Sequence, residues 1–268
     1  MAAEPRRAGV IGHPIAHSRS PAMHAAAYEQ LGMDWEYLAI DVPPARLAEF
    51  VAGIEGAGFA GVNVTIPHKL AVIPMCAEIA PEAQAAGSVN TLLARDGAVH
   101  GHSTDGRGLL WALGDTKPAD AVVLGAGGAA RAAVAALREA GWRVAVSARR
   151  PEAAAELGAP VIPWPPDRGA SLIVNATPLG QHETTVPDAN GSVPIDTTAL
   201  GLGVTVVDLA YRGDGTETAL CTIARERGAR VVDGLEVLVR QGARSLQVWT
   251  GEEPPVDAMR RALVQPVV

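Results

Sequence analysis

Short β-rich runs alternate with helical stretches from the start of the chain: Ala8 to Ile11, Ser20 to Leu31, Trp35 to Asp41, Pro44 to Ile54 and Gly61 to Thr65 form a βαβαβ rhythm. The first helix is clearly punctuated, because Ser20 can cap it, Pro21 suits its first turn and Gly32 stops it. Breakers gather at Gly114-Asp115-Thr116-Lys117-Pro118, and a second alternating series opens beyond them. It reads Ala121 to Leu124, a helix from about Gly128 to Ala140, Arg143 to Ser147, Leu172 to Val174, Val204 to Leu209, a helix near Thr216 to Arg227, and Ala229 to Val232. Gly141 and Gly228 stand where helix C-caps belong. Parallel strands with crossover helices bury both faces of each strand, so a doubly wound sheet is the economical topology. From Gly234 to Trp249, Leu235, Leu238, Val239 and Leu246 recur near helical spacing and predict one more helix. The polar stretch Gln181 to Gly203, broken by Pro187, Pro194 and Asn190-Gly191, reads as a long loop, equally compatible with a cover over a ligand and with variable surface.

A length of 268 residues suits two domains, and 48% apolar with 19% charged residues excludes a disordered chain. Five Trp, three Tyr and two Phe leave the cores to Ala, Val, Leu and Ile, which fits helices packed on buried parallel strands. The formal charge of −7 argues against nucleic acid or an anionic membrane as the main partner. No 18-residue apolar run occurs, and the arginines of the N-terminus are not followed by a signal-peptide apolar region. Cys76 and Cys221 lie far apart, so reduced thiols in a cytoplasmic protein are expected rather than a disulfide framework or zinc site. The histidines have no metal-ligand spacing, and no metal is expected.

Directly after Val122-Val123-Leu124 comes Gly125-Ala126-Gly127-Gly128-Ala129-Ala130, then a helix. This is a dinucleotide-binding pattern in its proper strand-loop-helix setting. Gly125 makes the tight turn, Gly127 admits a pyrophosphate and Ala130 lets helix and strand approach. At the end of the next strand, where an NAD site usually has an acid, stand Arg149 and Arg150, which favours NADP with its 2′-phosphate.

Polar groups collect at strand ends of the first half: Ser18 and Ser20, Asn63-Val64-Thr65-Ile66-Pro67-His68-Lys69, Asn90-Thr91, and Ser103-Thr104-Asp105. Together they supply hydroxyls, amides and a carboxylate around one lysine, a set suited to a small polyol. Pro67 places Lys69 just inside a predicted helix N-terminus, whose dipole would oppose an extra proton while Asp105 would favour and orient it. Lys69 is the candidate proton carrier.

On these residues the chain resembles the shikimate dehydrogenases. The likeness rests on His17 to Pro21, Asn63 to Lys69, Gly87-Ser88-Val89-Asn90-Thr91-Leu92, Thr104-Asp105-Gly106, Gly125 to Ala129, Asn175-Ala176-Thr177-Pro178, and Gly234-Leu235-Glu236 through Gln241, in family order. The resemblance implies a two-domain α/β enzyme. Residues 1–104 and 235–268 would form an α/β substrate-binding domain, and residues 105–234 a Rossmann-type, doubly wound parallel-sheet NADP domain, with the active site in the cleft. Ser18 and Ser20 would hold the shikimate carboxylate; Asn63, Thr65, Asn90, Asp105 and Gln241 would bind ring hydroxyls; Lys69 and Asp105 would be the catalytic pair. Gly125, Ala126, Gly127, Gly128 and Ala129 would receive the pyrophosphate and Arg149 and Arg150 the 2′-phosphate, while Thr177, Leu209, Tyr211 and Gly234 would border cofactor or substrate. The implied reaction is reversible reduction of 3-dehydroshikimate by NADPH in aromatic amino acid biosynthesis, by a cytoplasmic monomer or homodimer. Two positions depart from the family pattern: Ser103 and Ala148 stand where Asn is common. A quinate or aminoshikimate dehydrogenase, a non-catalytic NADP-binding domain and a methylene-tetrahydrofolate dehydrogenase are the alternatives; the serine pair, Lys69 and Asp105 favour shikimate chemistry.

Overall fold

A computed structural model describes residues 6–166, 169–181, 193 and 195–264. The chain forms two compact units, one running to Gly108 and resuming at Val239, the other Leu109–Leu238. The breaks fall a few residues inside two helices, because each of those helices runs from one unit into the other.

The first unit contains β1 (Arg6–Gly12), α1 (Ser20–Leu31), β2 (Trp35–Asp41), α2 (Leu47–Gly53), β3 (Phe59–Val64), β4 (Glu78–Ile79), α3 (Pro81–Ala86), β5 (Thr91–Arg95) and β6 (Ala98–His102). α4 (Asp105–Leu113) begins in it. The sheet order is β2-β1-β3-β5-β6-β4. β1 pairs in parallel with β2 and β3, as the βαβαβ rhythm implies, but β5 runs antiparallel to both β3 and β6. The β5–β6 hairpin turns at Asp96 and Gly97, both with positive φ (55° and 77°), the backbone that an Asp-Gly pair suits. Ile11, Val62, Val64 and Leu92 pack with Leu47, Val51 and Ile54 into its core.

Residues with special backbone needs set the ends of α1. Gly32 closes it in a left-handed conformation (φ 64°) and Pro21 lies in its first turn, but its N-cap is Arg19 and no side chain caps it. Ser20 is therefore the first helical residue, and the Oγ of Ser18 accepts its backbone N–H at 3.3 Å.

The second unit contains β7 (Asp120–Leu124), α5 (Gly128–Glu139), β8 (Arg143–Ser147), α6 (Pro151–Ala155), β9 (Val161–Ile162), β10 (Leu172–Asn175), β11 (Thr205–Asp208), α7 (Ala219–Glu226) and β12 (Arg230–Val232). α8 (Gly234–Thr250) returns the chain to the first unit and α9 (Val256–Val264) ends the described residues. All pairings are parallel, in the order β9-β8-β7-β10-β11-β12, which is the doubly wound Rossmann arrangement. Alternation along each strand feeds two cores. Val123, Val174 and Val207 join Val134 and Leu137 of α5, whereas Val122, Ile173 and Val206 join Leu220 and Ala224 of α7. α7 starts at Ala219, later than the sequence pattern suggests, because the Thr218 side chain accepts the Cys221 N–H and makes Thr218 the N-cap. Residues 182–192 and 194 of the expected long loop lie outside the described residues. Among the described residues no helix is long and apolar enough to cross a membrane.

One close approach fixes α8 on the first sheet. Trp249 Nε1 donates to Leu92 O at 2.9 Å, and a Cβ on Gly61 would collide with the Trp249 indole and lie 2.6 Å from Leu92 O. Gly61→Ala is expected to destabilise the protein by about 3 kcal/mol, through overpacking that backbone cannot relieve. Denaturant unfolding measures this.

Candidate active site

Strand ends bring Lys69, Asp105 and Asn90 of the first unit together. Lys69 Nζ donates to Asp105 Oδ2 at 2.5 Å, with side chains only 13% and 16% exposed. The other carboxylate oxygen, Oδ1, accepts from Asn90 Nδ2 at 2.8 Å. Backbone bonds hold these three in register: Val89 N–H donates to Lys69 O, Val64 N–H to Asn90 O, and Asn90 N–H to His102 O. Asp105 is the first residue of α4, separated from His102 at the end of β6 by Ser103 and Thr104.

The turn bearing Lys69 departs from expectation. Residues 65–75 form successive turns and one 3-10 turn at Ile73–Met75, so no α-helix N-terminus lies at Lys69. The orienting group is Asp105, and the helix-dipole argument has no element to act through. Thr65 lies half-buried at the start of the turn, its N–H bonded to Ile11 O and its carbonyl to the His68 N–H.

A buried polar cluster stands around Asn90, which is 2% exposed. Asn90 Oδ1 accepts from the Thr104 N–H at 2.6 Å, and Gln241 Oε1 of α8 accepts from Asn90 Nδ2 at 3.2 Å. One turn further along α8, the Ser245 hydroxyl meets Thr91 Oγ1 at 2.9 Å and Thr104 Oγ1 at 3.2 Å. Asn63 belongs to this cluster from the protein side. Its Oδ1 accepts from the Tyr37 hydroxyl at 2.8 Å and its Nδ2 donates to Ser245 Oγ at 2.7 Å, with Asn90 O and Thr91 Oγ1 also in reach. These partners satisfy the amide within the unit. Tyr37 is itself held by His24, stacked on it at 4.0 Å and fully buried; burial brings the His24 pKa down to about 4 and keeps the ring neutral.

In the second unit the glycine loop follows β7. Gly125 has φ 111°, and a Cβ there would lie 3.1 Å from Ala176 O and 3.2 Å from Thr177 Cγ2. Gly127 is the N-cap of α5; no side chain caps that helix, and a Cβ on Gly127 would meet nothing within 4 Å. An uncapped helix N-terminus facing open space fits a pyrophosphate. Ala126, Gly128 and Ala129 line the same turn, and Arg149 and Arg150 are exposed just beyond β8. Thr177, Leu209 and Tyr211 are partly buried beyond β10 and β11. Gly234 abuts Ala210 O, with Asp208 O 3.0 Å from where a Cβ would stand. Between these segments lies Asp208, fully buried, whose Oδ1 accepts from Asn175 Nδ2 at 2.8 Å and whose Oδ2 accepts from the Thr218 hydroxyl at 2.6 Å.

Comparison with known proteins agrees with this layout. The family profile for the shikimate dehydrogenase substrate binding domain matches residues 10–92, and that for the shikimate 5'-dehydrogenase C-terminal domain matches residues 234–264. A shikimate dehydrogenase (NADP(+)) of Anaeromyxobacter sp. strain Fw109-5 is 42% identical over 278 residues, covering 96% of this chain and 95% of that protein. One from Symbiobacterium thermophilum is 42% identical over 95% of this chain and 92% of its own. The crystal structure of shikimate 5-dehydrogenase from Thermus thermophilus in complex with NADP(H) and shikimate superposes with a TM-score of 0.87 at 40% identity, covering 96% of this chain and 98% of that one.

The chain belongs to the shikimate dehydrogenase family. Its two departures from the family pattern have different structural consequences. Ser103 is buried with an Oγ that has no hydrogen-bond partner, so the grip on Asp105 comes from Asn90 and Lys69 alone among the described residues. Ala148 packs into the core behind β8. Sequence reasoning missed Tyr37, Ser245 and Asp208. For Ser245 the signal was its place one helical turn after Gln241; for Asp208 it was an acid closing an apolar strand.

Burial, reinforced by Asp233, pushes the Asp208 pKa up from 3.8 to about 6, against the pull of its three donors. An acid whose folded pKa is raised contributes stability below its unfolded pKa and loses it as pH climbs through the folded one. Asp208→Asn is therefore expected to stabilise this shikimate dehydrogenase family member at pH 8, by up to about 3 kcal/mol, and to give no gain below pH 4. Unfolding midpoints at the two pH values test it.

Proposed function

We propose that the chain catalyses the reversible NADPH-dependent reduction of 3-dehydroshikimate to shikimate, as an oxidoreductase of aromatic amino acid biosynthesis. The observation that carries this reading is the sheltered Lys69–Asp105 pair at 2.5 Å with Asn90 on the second carboxylate oxygen. The first unit is the substrate-binding part and the second the NADP-binding part. Ser18 and Ser20, at the start of α1, take the substrate carboxylate, while Thr65, Asn90, Asp105 and Gln241 take ring hydroxyls. Asn63 supports this group through Ser245 and Thr91 rather than by adding a further ligand.

Bound NADPH supplies the hydride. During reduction Lys69 donates a proton to the oxygen that develops negative charge, and in the reverse direction neutral Lys69 accepts it from the hydroxyl. Asp105 fixes the direction of the Nζ–H bonds, and Asn90 fixes Asp105. Gly125, Ala126, Gly127, Gly128 and Ala129 offer the pyrophosphate a backbone surface, and Arg149 and Arg150 supply positive charge for the 2′-phosphate. Thr177, Leu209, Tyr211 and Gly234 border the nicotinamide end. The free thiols Cys76 and Cys221 support a cytoplasmic location.

Absorbance kinetics with 3-dehydroshikimate, shikimate and quinate, each with NADP and NAD forms, test the assignment; preference for quinate with NAD would overturn both specificities. Lys69→Ala is expected to lower turnover by ~10²- to 10⁴-fold with shikimate binding retained. Replacing Arg149 and Arg150 by Ala is expected to raise the KM for NADP far more than that for NAD, and equal effects on both cofactors would remove them from 2′-phosphate recognition.

A further inference from the structure

Among the described residues no cation meets the buried carboxylate of Asp208. Its partners are all neutral: Asn175 Nδ2 at 2.8 Å and the Ala210 N–H at 3.0 Å on Oδ1, and the Thr218 hydroxyl at 2.6 Å on Oδ2. Asp233, ahead of α8, adds repulsion, and the Cys221 thiol of α7 also faces it. This arrangement is unfavourable for the fold alone.

The hydrogen bonds around it reach further. Asn175, its partner, accepts from the Thr177 N–H at 3.0 Å and the Thr177 hydroxyl at 2.7 Å, and so shapes the loop after β10. That loop abuts Gly125, since a Cβ on Gly125 would lie against Ala176 O and Thr177 Cγ2. The bond from Ala210 N–H shapes the segment holding Leu209 and Tyr211, and Asp208 O and Ala210 O lie against Gly234. Thr218, which donates to Asp208, also accepts the Cys221 N–H at 3.3 Å and caps α7. Three segments of the second unit, the end of β10, the segment after β11 and the start of α7, are thus joined through one side chain.

We propose that Asp208 is a positioning residue for the nicotinamide end of NADP: its ionised carboxylate ties the loop after β10 to the segment after β11 and so sets Thr177, Leu209 and Tyr211. The proposal rests on the reading of this unit as the NADP-binding part. Ionisation matters because all three partners donate. A protonated Oδ2, or an amide in its place, reverses the bond to Thr218, whose oxygen already accepts from Cys221 and whose own proton then loses its acceptor. With burial holding the Asp208 pKa at about 6, the grip on the nicotinamide end weakens as pH falls through that value.

Calorimetric titration of the full chain with NADP, and with 2′-phospho-ADP-ribose, which keeps the 2′-phosphate and the pyrophosphate and lacks only the nicotinamide, tests this. Asp208→Asn is expected to bind NADP about tenfold more weakly at pH 8 and 2′-phospho-ADP-ribose as the unaltered chain does. The ratio of the two affinities, in which the shared 2′-phosphate titration cancels, should fall below pH 6 in the unaltered chain and stay flat in Asp208→Asn. Thr218→Val removes one donor and should move the fall to higher pH, which a purely structural role would not do. Unchanged NADP affinity in Asp208→Asn, equal weakening of both ligands, or an unmoved midpoint in Thr218→Val overturns the proposal. Failure of the unaltered chain to bind either ligand would instead remove the NADP reading on which it stands.

Discussion

The ion pair between Lys69 and Asp105 sets the terms for the first unit. Two opposite charges mostly withdrawn from water are tolerable only if their remaining hydrogen-bonding positions are filled, since desolvation otherwise exceeds the attraction between them. Asn90 fills one, and for that its amide must be held in a single orientation. Thr104 and Gln241 hold it, and Thr91, Ser245, Asn63 and Tyr37 extend the support outward. The mixed sheet serves this end: the β5–β6 hairpin returns the chain so that Asn90, at one strand start, stands beside Thr104 and Asp105 just after the other strand's end.

The second unit solves the opposite problem. Its candidate ligand surface is backbone, and backbone needs to be shaped rather than charged. The all-parallel sheet places the ends of β7, β10 and β11 side by side, with loops leaving from one edge. Gly234 allows its segment to approach Ala210 O to a distance no Cβ would permit, and Gly125 adopts a positive φ of 111° that favours glycine. Asp105 and Asp208 are both sheltered acids at element ends, yet among the described residues the first faces an ammonium and the second only neutral donors. That difference separates a carboxylate that orients an ammonium from one that ties loops together.

Local signals in the sequence were reliable where the local chain decides the structure. Gly32 and Pro21 bounded α1, the β-rich runs Trp35 to Asp41 and Arg143 to Ser147 matched β2 and β8, and the glycine loop sat between β7 and α5 as its spacing implied. Lys69 was misread because Pro67 permits a helix start without requiring one, and the chain instead makes consecutive turns whose bonds run to β1 and to Val89. The supporting cluster was illegible for a physical reason: Asn63 and Ser245 are 182 residues apart, and Asn90 and Gln241 are 151 apart. Such contacts exist only once α8 has returned to the first sheet, so no window of sequence contains them.

That return explains why the chain is divided as it is. The first unit is interrupted at Gly108 and completed only by Val239 onward, and the completing segment brings both Gln241 and Ser245 into the Asn90 cluster. Gly108 lies so close to α8 that a Cβ would stand 2.7 Å from the Gln241 N, so the helix that leaves the first unit and the helix that re-enters it are packed backbone to backbone. The polar cluster behind the ion pair therefore cannot form until the whole second unit has been made and the chain has come back. Lys69, Asp105 and Asn90 are all present in the first 108 residues, but without Gln241 the Asn90 amide would lack one of its partners, and without Ser245 the Thr91 and Thr104 hydroxyls beside it would each lose one of theirs. The orientation of Asp105 is in that sense a property of the complete chain.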